Sequence, residues 1–163
     1  MNTEDIVVRR AVAGDVPGVI DALAALAHDL GDPFTATADT LEAAAFADPP
    51  AAFIWVAEGA DGRLLGVALA APVMSTVAGC LGLYVSDLWV SETARNAGLG
   101  RRLLDAAVRG APAQWRVGFL RLAVHDHNAR AARFYARLGF EPVTGERLLR
   151  LDRADFHRLT DPT

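Results

Sequence analysis

The stretch Asp87-Leu88-Trp89-Val90-Ser91-Glu92-Thr93-Ala94-Arg95-Asn96-Ala97-Gly98-Leu99-Gly100 decides how this chain is read. An apolar strand, Leu81 to Val90, runs through a short loop into a helix predicted to open at Gly98 and reach about Arg109. Leu99, Leu103, Leu104, Ala107 and Val108 give that helix an apolar stripe, and Gly110 stops it. A helix start leaves backbone N–H groups unpartnered at the positive end of the dipole, so anions settle there, phosphates above all. Gly98 and Gly100 remove Cβ atoms where a diphosphate must come close, and Asn96 tolerates the unusual backbone angles of a tight loop. Arg95, Arg101 and Arg102 add positive charge at the same end. Taken alone, such a loop is also compatible with a plain turn. It is not a P-loop, since no Gly-Lys-Ser/Thr follows, and it lacks the third glycine of the dinucleotide-binding pattern.

The second informative segment, Leu120 to Phe140, reads LRLAVHDHNARAARFYARLGF. A strand over Phe119 to Val124 is followed by Asn128, a helix cap, and by a helix carrying Ala131, Phe134, Tyr135 and Leu138. Gly139 suits the left-handed position that ends a helix, and Phe140 can fold back on the last turn. Asn128 and Tyr135 are two turns apart and share a face. A tyrosine there can donate a proton to a leaving group, or it can be a core aromatic with a bonded hydroxyl; the spacing leaves both open.

Working outward, Ile6 to Ala11 reads as a strand, and Asp15 as the cap of a helix reaching about Leu30 on Val16, Val19, Ile20, Leu23, Leu26, Ala27 and Leu30. Gly31-Asp32-Pro33 stops it, and a shorter helix from about Ala38 to Ala47 ends at Asp48-Pro49-Pro50. Phe53 to Ala57 and Leu64 to Met74 form a hairpin around Asp61-Gly62. In the strand Leu81 to Val90, alternation puts Leu83, Val85 and Asp87 on one face, and Leu148 to Leu151 is predicted as a late strand. The order is β-α-α-β-β-β-α-β-α-β, a mixed sheet with helices on both faces. No repeat or linker divides the 163 residues, so residues 1–163 are expected to be one domain.

Composition narrows the classes. All 16 Lys+Arg positions are arginine, which excludes Schiff-base chemistry and a Walker lysine. The single cysteine, Cys80, fits a reducing cytoplasm; the acidic start Asn2-Thr3-Glu4-Asp5 is unlike a signal peptide; and no apolar run is long enough to span a membrane. The net charge of −4 hides a split: 3 Arg against 13 acids up to Ala94, then 13 Arg against 7 acids from Arg95 onward. The second half suits a polyanion and the first a cation, unless the charges are only a solvated surface. A nucleic-acid partner is not expected of a net acidic chain. His125-Asp126-His127 lacks a further ligand pair, so no metal is expected.

Together, Arg95-x-x-Gly98-x-Gly100 after an apolar strand and Asn128 with Phe134-Tyr135-x-x-x-Gly139-Phe140, about thirty residues on, resemble the GNAT family of N-acetyltransferases over about Ile6 to Leu159. Within it, Asp87 to Val90, Leu122 to Tyr135 and Arg147 to Leu151 look most like the spermidine/spermine (diamine) and thialysine branch. The resemblance implies an α/β (α+β) fold: a mixed, mostly antiparallel sheet of about six or seven strands, splayed at an acetyl-CoA cleft. It implies that Arg95, Asn96, Ala97, Gly98, Leu99, Gly100 and Arg101 hold the diphosphate of acetyl-CoA, and that Leu88, Trp89 and Val90 meet its pantetheine arm through backbone bonds. Asn128 and Arg137 would complete the cofactor side, and Tyr135 would be the general acid for the thiolate. This branch carries Glu-Asp where the present chain has Ser86-Asp87, which weakens the polyamine likeness and leaves acetyl transfer untouched.

The implied reaction is direct attack of an amine on a thioester in a ternary complex. An alkyl ammonium must first lose a proton, and Asp87 is the candidate acceptor, unless it is a structural aspartate bonded to backbone. The acceptor side is expected to include Ser86, Asp87, Asp29 and His127, with the arginine-free, acidic stretch from His28 to Asp48 nearby. The expected acceptor is a small cationic amine: a diamine, a polyamine or a basic amino acid. A protein N-terminus or lysine, or a non-catalytic acetyl-CoA-binding module, are the alternatives. The branch is commonly dimeric, so a homodimer is expected.

Overall fold

Runs of β-branched and aromatic residues bounded by turn chemistry set the sheet. A computed structural model describes residues 5–159 of the chain. The chain divides into two compact units, Met1–Asn128 and Ala129–Thr163.

In the first unit, β1 (Val7–Arg10), β2 (Phe53–Glu58), β3 (Leu64–Ser75), β4 (Cys80–Val90) and β5 (Leu120–Leu122) lie side by side in chain order. The first four pair antiparallel, while β5 runs parallel to β4 and is reached by a crossover through α3 (Leu99–Arg109). Gly62, at φ 79°, turns the first hairpin, and Asp61 Oδ1 accepts from the Arg63 N–H at 3.1 Å.

Among the described residues the sheet has five strands rather than the expected six or seven. Leu148 to Leu151 forms no strand, and Leu148 and Leu149 stay 83% and 86% exposed. Two adjacent leucines would point to opposite faces of a strand, so neither face gains the alternating apolar row that makes pairing worthwhile. The strand expected over Phe119 to Val124 shortens to Leu120–Leu122, opposite Leu83 to Val85 of β4.

All of Phe53 to Ala57 is buried, because helices cover both faces of β2. On one face Ile54, Val56 and Val67 meet Val19, Ala22 and Leu23 of α1 (Val16–Leu30) and Leu41 and Ala45 of α2 (Ala38–Ala45). On the other, α3 comes so close that a Cβ on Gly66 would lie 2.9 Å from Leu103 Cδ1. Ile54, Val56 and Val67 on the first face and Leu99 and Leu103 of α3 are fully buried, each contributing roughly 1.5–3 kcal/mol. The sheet is therefore anchored from both sides where β4 passes into α3.

Asp15 does not cap α1 through its side chain, contrary to the sequence reading. A 3-10 turn over Ala13–Asp15 puts it in helical backbone (φ −83°, ψ −13°), whereas a capping residue needs an extended one. Its carboxylate turns back instead and accepts from the Val12 N–H at 2.8 Å and from both terminal nitrogens of Arg9 at 2.7 and 2.8 Å. Arg9 also donates to Glu58 on β2. Thr37 caps α2 by accepting from the Thr40 N–H at 3.3 Å.

The second unit carries α4 (Ala129–Arg137). Gly139 takes the left-handed conformation at φ 89°, and the Phe140 N–H reaches the Tyr135 carbonyl at 3.1 Å. The Phe140 ring packs edge-on against Tyr135 with centroids 5.3 Å apart, the fold-back read from the sequence. A 3-10 segment over Arg153–Leu159 follows.

Candidate active site

Strands β3 and β4 pair in one register at Leu69↔Asp87 and in another at Ala70↔Val85. β3 stays in step with β2 from Gly66 through Ala70, so the extra residue is Ser86 on β4, a β-bulge. The bulge reverses which face the side chains take. Asp87 and Trp89 pair with Leu69 and Val67 on the face of α1 and α2, whereas Leu83 and Val85 pair with Pro72 and Ala70 on the face of α3. The expected row of Leu83, Val85 and Asp87 on one face is therefore broken, because one inserted residue shifts a period-2 pattern by one step.

The bulge also marks where β4 loses a neighbour. Its pairing with β5 covers Leu83 to Val85 and goes no further. The Ser91 N–H donates to the Leu65 carbonyl at 2.9 Å, which fixes the hydrogen-bonded pairs as Ser91/Leu65, Trp89/Val67 and Asp87/Leu69. Leu88 and Val90 consequently turn their amide and carbonyl groups away from β3, into the gap beyond the last β4–β5 pair. The Val90 carbonyl accepts from Arg95 Nε at 3.1 Å, so among the described residues Val90 has its N–H left to offer and Leu88 both its groups.

A 3-10 turn over Glu92–Ala94 leads from this edge to the start of α3. Asn96 and Gly98 both take left-handed backbone, at φ 67° and 74°. Gly98 is the N-cap of α3 and makes no side-chain cap bond, while its carbonyl accepts the Arg102 N–H at 3.1 Å. No side chain among the described residues caps the first-turn amides of Leu99, Gly100 and Arg101, as an anion site requires. A groove of about 360 Å³ beside them is lined by Gly98, Arg101, Arg102, Asp105 and Arg109.

The side chain of Arg95 is engaged elsewhere. Besides Val90, it reaches Glu92 at 3.1 Å and Asp29, near the end of α1, at 2.6 Å. Asp29 and Arg95, read from the sequence on opposite sides of the reaction, therefore form one ion pair. Asp32, one residue past Gly31, pairs with His125 Nε2 at 3.1 Å, and the ring of His127 lies 5.2 Å from that of His125. The sequence reading missed Asp32, His125 and Glu92 in these roles, since each bond joins elements whose proximity only the fold decides.

Asp87 is half-buried, and desolvation raises its carboxyl above the usual carboxylate range, partly offset by a hydrogen bond from Ser86. No cation pairs with Asp87 among the described residues. The Ser86 hydroxyl, with a single proton to give, has the Leu69 carbonyl at 3.3 Å as its other acceptor.

In the second unit, Tyr135 stands edge-on to Phe134 at 5.0 Å as well as to Phe140, and burial pushes its phenol up to about 12. It therefore keeps its proton throughout the neutral range. Arg137 is exposed in the last turn of α4. Asn128, at the end of the first unit, donates its backbone N–H to the His125 carbonyl at 2.8 Å.

The sequence model of the Acetyltransferase (GNAT) family matches residues 23–140, which include β4, the loop, α3 and Tyr135. Among solved structures, an integron cassette protein from Vibrio cholerae superposes with a TM-score of 0.76 at 18% identity, covering 97% of this chain and 99% of the other. A ribosomal-protein-alanine N-acetyltransferase from Brucella melitensis gives 0.72 at 18% identity over 90% and 99%. An aminoglycoside acetyltransferase from an uncultured soil metagenome gives 0.69 at 14% identity over 91% and 95%. At these identities each is a likeness of fold.

Proposed function

This chain belongs to the acetyltransferase (GNAT) family, and from that premise we propose that it acetylates a small cationic amine: a diamine, a polyamine or a basic amino acid. Acetyl-CoA is the family's acetyl donor, and the chain is an acyltransferase. The observation that carries the choice of acceptor is Asp87, a half-buried carboxylate without a cationic partner among the described residues, beside the bulge where the edge of β4 opens. A partly desolvated carboxylate favours a ligand that brings its own positive charge.

Each residue then has a task. Leu88, through both backbone groups, and Val90, through its N–H, take an extended amide-bearing arm as a sheet edge takes a strand. The first-turn amides of α3 hold the diphosphate. Asp87 attracts the ammonium and accepts its proton, directly or through a water, which exposes the nitrogen lone pair. Tyr135, whose burial keeps it protonated, returns a proton to the sulfur that leaves as nitrogen takes the acetyl group. Ser86, in place of a second carboxylate, limits the charge available for a long polycation and favours the shorter diamines and amino acids. The same reading has the protein work in the cytoplasm as a homodimer.

Acetyl transfer measured across diamines, polyamines, basic amino acids, neutral amines and a peptide N-terminus tests the proposal. Higher kcat/KM on the small cationic amines is expected. Faster turnover of neutral amines or of the peptide would overturn the choice of acceptor, and an absence of heat on titration with coenzyme A would remove the cosubstrate site.

A further inference from the structure

We propose that Arg95 is a positioning residue: its side chain fastens the cofactor loop to the end of α1, and Asp29, far away in sequence, sets acetyl-CoA affinity through it. The inference rests on the diphosphate reading of the loop given above.

All three guanidinium nitrogens of Arg95 have acceptors: Nε on the Val90 carbonyl, one terminal nitrogen on Glu92 and the other on Asp29, at 3.1, 3.1 and 2.6 Å. The cluster holds one positive charge and two negative ones, so it presents no surplus cation to a phosphate. Its side chain is 22% exposed, against 43% for Asp29 and 84% for Glu92, which makes Asp29 the less solvated of its two carboxylates. What the cluster does possess is geometry. It bonds the last residue of β4, the turn after it and α1, immediately before the left-handed Asn96 and Gly98 that aim the first amides of α3. A loop with two left-handed residues has many alternatives in solution, and fixing its entry lowers the entropy lost when an anion is bound.

Asp29 thereby changes role. It sits on the helix that shares a face with Asp87, where a carboxylate invites assignment to the amine acceptor; its bond to Arg95 places its effect on the other substrate. The coupling also runs the other way, because ordering the loop with coenzyme A holds the end of α1.

The test measures coenzyme A affinity by calorimetry and loop amide exchange in the ligand-free protein. Asp29→Ala is expected to weaken coenzyme A binding roughly three- to tenfold, the scale of a partly exposed ion pair that also orders a loop, and to speed exchange at Asn96 to Gly100. Arg95→Lys discriminates the mechanisms: lysine keeps the charge but cannot span three acceptors. Loss of affinity like that of Asp29→Ala supports the clamp; retained affinity shows Arg95 acting as a simple phosphate cation and overturns it. Unchanged coenzyme A affinity in Asp29→Ala with a raised KM for the amine would restore Asp29 to the acceptor side and end the proposal. A wild-type protein that binds no coenzyme A would instead remove the reading on which both stand.

Discussion

Tyr135 and Asp87 are tuned in ways that suit opposite proton transfers. Burial raises both, which leaves the phenol a donor with a proton always in place and the carboxyl a stronger acceptor than an exposed aspartate. Tyr135→Phe is expected to lower kcat by about 10²-fold or more while coenzyme A affinity stays as it was, checked by steady-state kinetics beside calorimetry. Asp87→Asn separates activity from stability. Because the folded protein raises the pKa of Asp87, it binds that proton more tightly than the unfolded chain, and stability falls as pH climbs from the ordinary carboxylate value through the raised one. Removing the charge is therefore expected to raise the melting temperature at neutral pH and to reduce turnover on cationic amines, a trade visible in thermal melts and rates on one preparation. The helix that carries Tyr135 was legible from sequence because its periodicity and the Gly139-Phe140 stop are local. The orientation of Asp87 was not, since Ser86 looks like any strand residue until β3 is laid beside it.

At the scale of elements, the start of α3 depends on backbone conformation more than on space. A Cβ on Gly98 would meet no atom within 4 Å, yet φ of 74° disfavours any L-residue. Gly98→Ala is expected to weaken coenzyme A binding about tenfold, equivalent to roughly 1–2 kcal/mol of left-handed strain, with little change in the amine KM. Calorimetry and acceptor kinetics at saturating acetyl-CoA check it. The entry to α1 rests on charge. Arg9 holds the Asp15 carboxyl below the usual carboxylate range, so this bond stabilises the fold above the ordinary aspartate pKa and is lost as pH falls through the lowered one. Asp15→Asn is expected to cost about 1–2 kcal/mol in urea unfolding at neutral pH, with the deficit vanishing in acid. Helix and strand positions followed from periodicity and turn residues nearly to the residue. Asp15 failed as a cap because a 3-10 turn precedes the helix, and Leu148 to Leu151 failed as a strand because apolar content alone does not supply a partner.

Across the whole chain, the excess of arginine after Ala94 and of acids before it was read as a polyanion side and a cation side. Along α3, Arg101, Arg102 and Arg109 share one groove with Asp105, which accepts from Arg109 Nε at 2.9 Å. On the acidic side, Asp29 spends its charge on Arg95, and Asp32 lies 3.1 Å from His125 Nε2. Local rules gave the order of elements and the glycine-bearing loop before α3; long-range pairings, which carry no signature in spacing, determined which charges remained unpaired.

The gap beside β4 has a second meaning. Backbone groups left bare along a strand welcome any extended chain, including another molecule of the same protein. Acetyl-CoA, by lying along Leu88 and Val90, would act as a guard as well as a reactant. Starved of it, the enzyme is expected to clump sooner on warming, and light scattering with and without the ligand would register the difference.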